Sequence, residues 1–243
     1  MKLYKFFTQK DHMDAFLSGR IRFRSILYYK RLKSKYESKI SDKLEGEVFT
    51  SLDPSKYTIK IDDHTIESTD FAASINITRG EEDTSDHLIF CSTTSPEFEE
   101  KDYKYCVKFC LDEFNNALTD FFSRAHEYYK KREMSGEWAP LGKTSRAMHL
   151  SFNQCLNHKI ISYYSKENHS SLKLDPLFSK ENNYSEQREY RHAFFIDYYQ
   201  FFKENHRIHI KEIKAKQESD KEILKELIIT LDIGKINSEQ VII

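Results

Sequence analysis

Glycine and proline are scarce in this sequence, which has six glycines and four prolines among 243 residues. That scarcity excludes collagen-like, elastic and proline-rich linker proteins. Neither sign of charge is in excess, because 38 basic side chains face 39 acidic ones, so no global basic field draws the chain to nucleic acid. No apolar run reaches the roughly 20 residues that a membrane helix needs, and we therefore expect no membrane partner.

Cysteine is also rare, with four residues, and none of their spacings forms a CxxC metal knuckle. These cysteines are Cys91, Cys106, Cys110 and Cys155. The opening segment, residues 1–7, turns polar too quickly for a signal peptide. Together these features predict a cytoplasmic protein with reduced thiols and no bound metal.

Aromatic side chains are abundant, and they supply the material for a hydrophobic core. The 18 Phe and 15 Tyr residues exclude an intrinsically disordered chain. The sequence contains no internal repeat and no linker that would divide it. It therefore predicts a single α+β domain over residues 1–243, in which a mixed, mostly antiparallel sheet packs against helices at 9–18 and 111–133.

The first 25 residues carry the clearest secondary-structure pattern. Lys2–Phe7 alternates as a strand, and Thr8 is in position to cap a following helix. Gly19 is expected to end that helix as the residue after its C-cap. Residues 20–25 then alternate strictly, which predicts a strand with two apolar side chains on one face and three arginines on the other.

One long helix and several further strands are predicted along the rest of the chain. The helix at 111–133 has apolar residues at helical spacing and acidic residues near its start, where they suit the helix dipole. The predicted strands are 57–61 and 65–68 as a hairpin, 72–78, 87–92, 103–109, 188–196 and the run around Ile208 and Ile210, and a short helix is expected at 221–227.

The sequence has no glycine-rich phosphate loop, no GxGxxG, no HExxH and no GxSxG. Two groups of residues remain as candidates for ligand binding. The first is the arginine face of residues 20–25, because guanidinium groups bind phosphate through paired hydrogen bonds. The second is the Ser-Thr-Thr-Ser strand end at 92–95, whose small hydroxyl side chains can hydrogen-bond a ribose. The candidate cofactor-binding residues are Arg22, Arg24, Ser92, Thr93, Ser95 and Arg191.

A third group of candidates lies on a predicted strand that begins near Arg188. Strand alternation would place Gln187, Glu189 and Arg191 on one face, about 7 Å apart. A carboxylate beside an amide can grip a sugar hydroxyl and stabilise a developing oxocarbenium ion. The candidate catalytic residues are Glu189, Gln187 and the adjacent Glu186.

Several of these segments resemble a family of bacterial and phage proteins of unknown function. The resemblance rests on a strand, helix, glycine and basic strand, an Asp-x-x-Glu-Gly segment at 42–46, a Cys-Ser strand end and a late Glu-x-Glu-Tyr-Arg motif. Gln187 replaces the first Glu of the late motif, whereas residues 189–191 match it. The resemblance covers residues 1–50, 87–95 and 175–235 and implies no particular activity.

The chain is also similar, more distantly, to ADP-ribosyltransferases of the arginine, Ser-Thr-Ser, glutamate type. Arg22 or Arg24, the segment 92–95 and the Gln187-x-Glu189 segment keep the order of that superfamily's motifs. One Thr is inserted in the middle motif, and the arginine lies on the second predicted strand. The resemblance implies NAD as the substrate, with Glu189 holding the ribose, Gln187 orienting the acceptor and the arginines binding the pyrophosphate. It also suggests a bacterial toxin or phage-defence effector.

Two other functions fit parts of the sequence. Residues 20–39 carry eight basic groups against one acidic group, interleaved with tyrosines, which is typical of a nucleic-acid binder. Its candidate contacts are Arg20, Arg22, Arg24, Lys30, Arg31, Lys33 and Lys35. For a nuclease, Asp42, Glu45 and Glu186 are candidates to bind Mg²⁺, although no spacing supports them. The acidic segment 41–100 suits a non-catalytic interaction protein that uses this segment as a docking face.

Overall fold

The structure of the protein is a computed structural model. It describes residues 1–26, 29, 48–52, 59–61, 64–66, 75–79, 87–97, 102–134, 156–165, 174–195, 208–213 and 226–242. Over these residues it contains two α-helices and fifteen strands, and the α+β fold class predicted from the sequence is confirmed.

The helices are α1 (Lys10–Leu17) and α2 (Leu111–Met134), and two 3-10 turns span Pro176–Phe178 and Asn182–Gln187. The strands are β1 (Lys2–Phe7), β2 (Arg20–Ser25), β3 (Val48–Leu52), β4 (Ile59–Ile61), β5 (His64–Ile66), β6 (Ile75–Arg79), β7 (His87–Thr93), β8 (Tyr105–Cys110), β9 (Leu156–Ile160), β10 (Ser162–Tyr164), β11 (Ser179–Glu181), β12 (Glu189–Phe195), β13 (Ile208–Ile213), β14 (Glu226–Asp232) and β15 (Ser238–Val241).

Nine of these strands form one sheet in which every pairing is antiparallel. Its main path runs β13-β14-β2-β7-β1-β8-β15, and β12 joins β7 to β9. β12 runs along one whole edge of β7, so β1 and β2 share the other edge. Three two-stranded pairs complete the described sheets: β3 with β6, β4 with β5, and the parallel pair β10 with β11. Strands from both ends of the described chain therefore meet in the central sheet.

The β1–α1–β2 unit follows from local sequence signals. The alternation of β1 and β2 buries Leu3, Ile21 and Phe23 completely. Gly19 has φ +87°, as expected for the left-handed residue that ends a helix. The predicted cap is wrong, because Gln9 rather than Thr8 precedes α1, with extended backbone and no side-chain capping hydrogen bond.

The apolar residues form two clusters on opposite faces of the central sheet. The larger cluster packs both helices against the sheet, through Met13 and Phe16 of α1 and Phe114, Leu118 and Phe122 of α2. The smaller cluster consists of residues of β7 and β12, of the first 3-10 turn and of the positions just after β2 and β9: Ile26, Ile89, Ile161, Leu177, Phe178 and Ala193. The face of the sheet that carries this smaller cluster also carries the charged side chains of the candidate site.

Where the structure describes their ends, the other predicted elements agree with it to within a few residues, with one exception. Residues 57–58, 67–68 and 72–74 of the predicted strands lie outside the described residues. The helix expected at 221–227 is wrong at its end, because Glu226 and Leu227 begin β14. Cys91, Cys106 and Cys110 are free thiols, as expected, and Cys155 lies outside the described residues. Neither of the two described helices combines the length and the apolar character that a bilayer crossing requires.

Candidate functional site

Three neighbouring strands carry the predicted site residues on one face of the central sheet. Arg24 of β2 is opposite Ile89 of β7, and Thr93 of β7 is opposite Glu189 of β12. Opposite residues point to the same side of a sheet, and so do residues two apart along a strand. The shared face therefore holds Arg22, Arg24, Thr93, Glu189 and Arg191. The Cα atoms of Arg24 and Glu189 lie roughly 16 Å apart, from the usual strand rise and spacing.

The sheet is split where β1 and β2 share the edge of β7. β1 meets β7 near Thr93, whereas β2 meets it near Ile89. Between these two contacts, the carbonyl oxygen of Cys91 accepts a hydrogen bond from Nζ of Lys5. A lysine side chain therefore takes the place of a neighbouring strand at this point of the ladder.

Glu189 is the centre of a buried ion cluster. Its Oε1 lies 2.9 Å from Nε and 2.8 Å from Nη2 of Arg191, and its Oε2 lies 2.8 Å from Nζ of Lys180. The exposed fractions of Glu189, Lys180 and Arg191 are 5%, 4% and 0%. Arg191 also donates from Nη1 to the carbonyl oxygen of Leu177 over 2.6 Å. Cations thus hold both oxygens of this carboxylate away from water.

The surrounding charges keep this carboxylate ionised. Burial alone would raise the pKa of Glu189, but Arg191 and Lys180 outweigh burial and hold the pKa well below its usual range. The thiol of Cys91 donates a further hydrogen bond to the carboxylate. Burial, followed by the charge of Glu189, raises the pKa of Cys91 to about 12, so the sulfur keeps its proton at neutral pH.

The prediction that Gln187 lies on the same strand face as Glu189 is wrong. Gln187 ends the 3-10 turn Asn182–Gln187, and β12 begins only at Glu189. The intervening Arg188 takes a left-handed conformation with φ 43°, which interrupts the strand alternation. Gln187 still reaches the ion cluster, because its Oε1 accepts a hydrogen bond of 3.2 Å from Nζ of Lys180.

The hydroxyl groups at the end of β7 are engaged in internal hydrogen bonds. Ser92 points to the opposite face from Glu189, and its Oγ donates to the carbonyl oxygen of Tyr190 over 3.1 Å. Oγ1 of Thr93 accepts a hydrogen bond of 3.1 Å from the backbone N–H of Ser95. The prediction that Ser92 lines a site with Glu189 is therefore wrong, and by strand register Thr93 is the strand-end residue on the face of Glu189.

Two of the three arginines of β2 contact residues of helix α1 or of its end. Arg20 and Arg22 are exposed, and Arg24 is half-buried. Nη1 of Arg22 lies 2.9 Å from Nε2 of His12 on α1. Nε of Arg20 donates to Oγ of Ser18 over 3.2 Å at the end of the same helix. The three arginines thus differ in setting, and only Arg24 lies beside β7 in the ladder.

Several residues predicted from the sequence fall outside the part of the chain that the structure describes. They are Lys30, Arg31, Lys33, Lys35, Asp42 and Glu45, together with parts of the acidic segment 41–100. Glu186 is described, and it is exposed in the 3-10 turn before β12. Among the described residues, no group of three or more His, Cys, Asp or Glu side chains is placed to hold a metal ion.

A polar network lies on the opposite face of β12, between β9 and α2. Nε2 of His192 is 2.8 Å from Oδ1 of Asn115, whose Nδ2 is 3.3 Å from Nε2 of His158. Nδ1 of His158 is 2.8 Å from the hydroxyl of Tyr190. An amide nitrogen only donates and an amide oxygen only accepts, so with this amide orientation His158 accepts at Nε2 and His192 donates from its own Nε2. Burial lowers the pKa of both histidines, most strongly that of the completely buried His192.

This network predicts that the folded protein loses stability as the pH falls below about 6.5. Because the pKa of His192 is lowered in the folded protein, the unfolded state binds a proton at this residue more readily than the native state does. The contribution of neutral His192 to stability is therefore fully present above the unfolded pKa and declines below it. The loss from His192 should be at most about 2 kcal/mol at pH 5, at 1.36 kcal/mol per unit. Urea unfolding at pH 7 and pH 5 measures it.

The variant His192→Gln is the control, because it keeps a donor for Asn115 and does not titrate. We expect its free energy of unfolding to lose most of the pH dependence. His158→Gln should change the slope less, because that imidazole is more accessible. An unaltered slope in His192→Gln would show that other groups dominate the acid response.

The sequence analysis did not find several residues that the fold brings to these clusters. Among them are Lys5, His12, Tyr163, Lys180 and His192. The hydroxyl of Tyr163, for example, accepts a hydrogen bond of 3.0 Å from the backbone N–H of Glu189. A single polar residue within a strand or turn carries no periodic signal, so its burial becomes visible only when the strands are paired.

Comparisons with protein-family models, with curated protein sequences and with solved structures found no match for this chain.

Proposed function

We propose that this chain is an ADP-ribosyltransferase-like enzyme that uses a nicotinamide dinucleotide and acts in the cytoplasm as a toxin or phage-defence effector. One observation carries the proposal. Arg24, Thr93 and Glu189, which belong to the three motifs of the resemblance, share one face of three adjacent strands. Motif order in a sequence does not require that arrangement.

The chemistry needs an anion beside the ribose. In the reaction the bond between C1′ of the ribose and the nicotinamide nitrogen breaks, and the electron pair leaves with neutral nicotinamide. Positive charge develops at C1′ until a nucleophile attacks that carbon and loses its proton. The Glu189 carboxylate stays ionised because of its cationic neighbours, and it stabilises that developing charge.

Substrate binding must free one oxygen of the Glu189 carboxylate. Arg191 is the fixed partner, since it also bonds the carbonyl oxygen of Leu177 and reaches Glu189 through two nitrogens. Lys180 makes one contact to the carboxylate, through a flexible side chain that ends in a single nitrogen. In this proposal Lys180 moves aside toward Gln187, and a ribose hydroxyl replaces it on Oε2.

A specific observation favours a second function, which is nucleic-acid binding. Arg20 and Arg22 are exposed two residues apart on one face of β2, where arginines can follow successive phosphates. In that function the buried cluster around Glu189 stabilises the fold and takes no part in chemistry. A non-catalytic interaction protein would show neither dinucleotide turnover nor salt-dependent nucleic-acid binding.

Arg24→Gln distinguishes these functions when it is compared with Arg20→Gln. For a dinucleotide enzyme, we expect Arg24→Gln to weaken NAD binding at least about tenfold, the scale of a lost charge-assisted hydrogen bond. Arg20→Gln should change the affinity less than about threefold, because Arg20 is exposed and bonds Ser18 at the end of α1, whereas Arg24 lies beside β7 in the ladder. Calorimetric binding and nicotinamide release measure both variants.

A nucleic-acid binder gives a different pattern in the same pair of variants. Both substitutions should then weaken binding of a single-stranded oligonucleotide, and each should lower the salt slope by about 0.7. Absence of nicotinamide release by the unmodified protein, in the presence of candidate acceptor proteins, would contradict the transferase proposal.

A further inference from the structure

Three basic side chains lie together beside the split of the central sheet. His12 of α1 contacts Arg22, and Arg22 and Arg24 share one face of β2. Lys5 of β1 lies at the split itself, where its Nζ bonds the carbonyl oxygen of Cys91 and lies over the ring of Phe90 on the other face of the sheet. α1 connects β1 to β2, and it therefore spans the split. The sequence analysis named only the two arginines, because the lysine and the histidine lie in other elements.

The contact between His12 and Arg22 fixes the state of the imidazole. A guanidinium group only donates, so Nε2 of His12 must accept the hydrogen bond of 2.9 Å from Nη1 of Arg22. The proton of the imidazole is then on Nδ1, and the ring is neutral. His12 is half-buried, so a ligand at the split can reach it.

Arg24 links the basic groups electrostatically. Burial lowers the pKa of His12, and Arg22 and then Arg24 lower it further, while Asp11 acts in the opposite direction. Burial also lowers the pKa of Lys5. The thiol of Cys91 and the carboxylate of Glu189 oppose that effect, whereas Arg24 adds to it. Among the described charges that act on His12, two are cationic and one is anionic.

We propose that His12, Arg22 and Arg24 form a binding site for a small phosphate-bearing anion, and that His12 takes up a proton when the anion binds. This proposal rests on the proposed function for the identity of the anion, which would be the pyrophosphate of the dinucleotide. The new elements are His12 and the coupling of binding to protonation.

The coupling follows from charge. In the free protein the imidazole faces cations, which disfavour a further positive charge. An anion at the split cancels that field, and Arg22 can turn from His12 to the anion, which leaves Nε2 able to carry a proton and donate. If the pKa of a group is higher in the complex than in the free protein, affinity must rise as the pH falls through that range.

Sulfate is the probe for the first measurement, because it does not titrate between about pH 5 and pH 8 and contains no nucleoside. The imidazole resonances of the full chain are followed by NMR against pH, with and without saturating sulfate, and His12→Gln identifies the His12 signal. We expect sulfate to raise the pKa of His12 by about one unit, the lower end of the effect of a nearby opposite charge. An unchanged or lowered pKa overturns the proposal.

Calorimetry with NAD in two buffers of different ionisation enthalpy gives the second measurement. Near pH 6 we expect between zero and one proton to be taken up per NAD bound, and affinity to rise severalfold from pH 7.5 to pH 5.5. In His12→Gln, which keeps an acceptor for Arg22, both effects should vanish while NAD still binds. Proton release, or an unaltered pH profile in His12→Gln, overturns the coupling.

The two measurements separate this inference from the proposed function. If sulfate shifts the His12 signal but NAD is neither bound nor consumed, the anion site stands and the transferase function fails. If NAD is consumed but the His12 signal does not respond to sulfate or NAD, the function stands and this inference fails. If a single-stranded oligonucleotide shifts the signal and sulfate does not, the small-anion site is overturned in favour of nucleic acid.

Discussion

Glu189→Gln should lower dinucleotide turnover by roughly 10²–10³-fold, the usual loss when one preorganised electrostatic group is removed. It should also lower the free energy of unfolding by about 3–5 kcal/mol, because removal of one partner leaves buried charges unpaired. Both Lys180 and Arg191 lose their anion in this variant. Nicotinamide release and urea unfolding of the same preparation measure the two effects.

The burial of Glu189 determines the size of this stability loss. An exposed ion pair would contribute about 0–1 kcal/mol, but only 5% of Glu189 is exposed. Loss of activity in a partly unfolded variant would prove nothing about catalysis. Turnover must therefore be compared at a temperature at which both proteins are fully folded.

The double variant Lys180→Met with Glu189→Gln separates stability from chemistry. The double variant removes one of the two cations that lose their anion in Glu189→Gln, so it should be more stable than that single variant. We expect a coupling energy between the two substitutions of about 0.5–3 kcal/mol. Activity should stay as low as in the single variant, because the carboxylate is still missing. If Glu189→Gln retains full turnover, Glu189 is a structural residue and the case for a transferase loses its catalytic group.

Acid pH gives an independent view of the same cluster. The pKa of Glu189 is lowered in the folded state, so its contribution to stability is present above the unfolded pKa near 4.5 and is lost below it. That window begins at a lower pH than the one in which His192 begins to act. Glu189→Gln should therefore flatten the stability profile below about pH 4.5 and leave the profile between pH 5 and pH 7 unchanged.

The elements that the sequence predicted well are those whose patterns are local. β1 and β2 alternate, and α2 repeats its apolar residues with helical period, so each of these elements is visible without knowledge of its partners. The shared sheet of Arg22 and Glu189 follows from no local pattern. The pairing that produces it, through β7, is a tertiary property.

The details of the site were less predictable for a physical reason. A single backbone torsion, the left-handed φ of Arg188, moves Gln187 off the strand. A period-two sequence pattern does not indicate such a turn. Lys180 lies in the three-residue strand β11, too short to show any alternation, yet it is buried against Glu189. Contacts of this kind depend on which strands pair, which local patterns do not specify.

Gly19→Ala should destabilise the fold by about 3 kcal/mol or more. Gly19 has φ +87°, a conformation that costs an L-residue about 1–2 kcal/mol. A Cβ atom there would also overlap the carbonyl group of Gly234, and the neighbouring N of Lys235 would be 2.9 Å away. Because the obstacle is backbone, no side chain can move aside, and the added clash costs about 1–3 kcal/mol more. Thermal unfolding and urea titration measure the loss.

Gly234→Ala is the matched control, since it changes the other side of the same contact. Gly234 has φ +81°, but a Cβ there would meet nothing within 4 Å. It should therefore cost only the backbone strain of about 1–2 kcal/mol. The difference between the two variants reports the close approach of the α1–β2 turn to the segment after β14, where the N–H of Ile233 donates to the carbonyl oxygen of Gly19 over 3.0 Å. Equal losses would mean that the two turns are farther apart than this, and that the path from α1 into the arginine strand is held by other contacts.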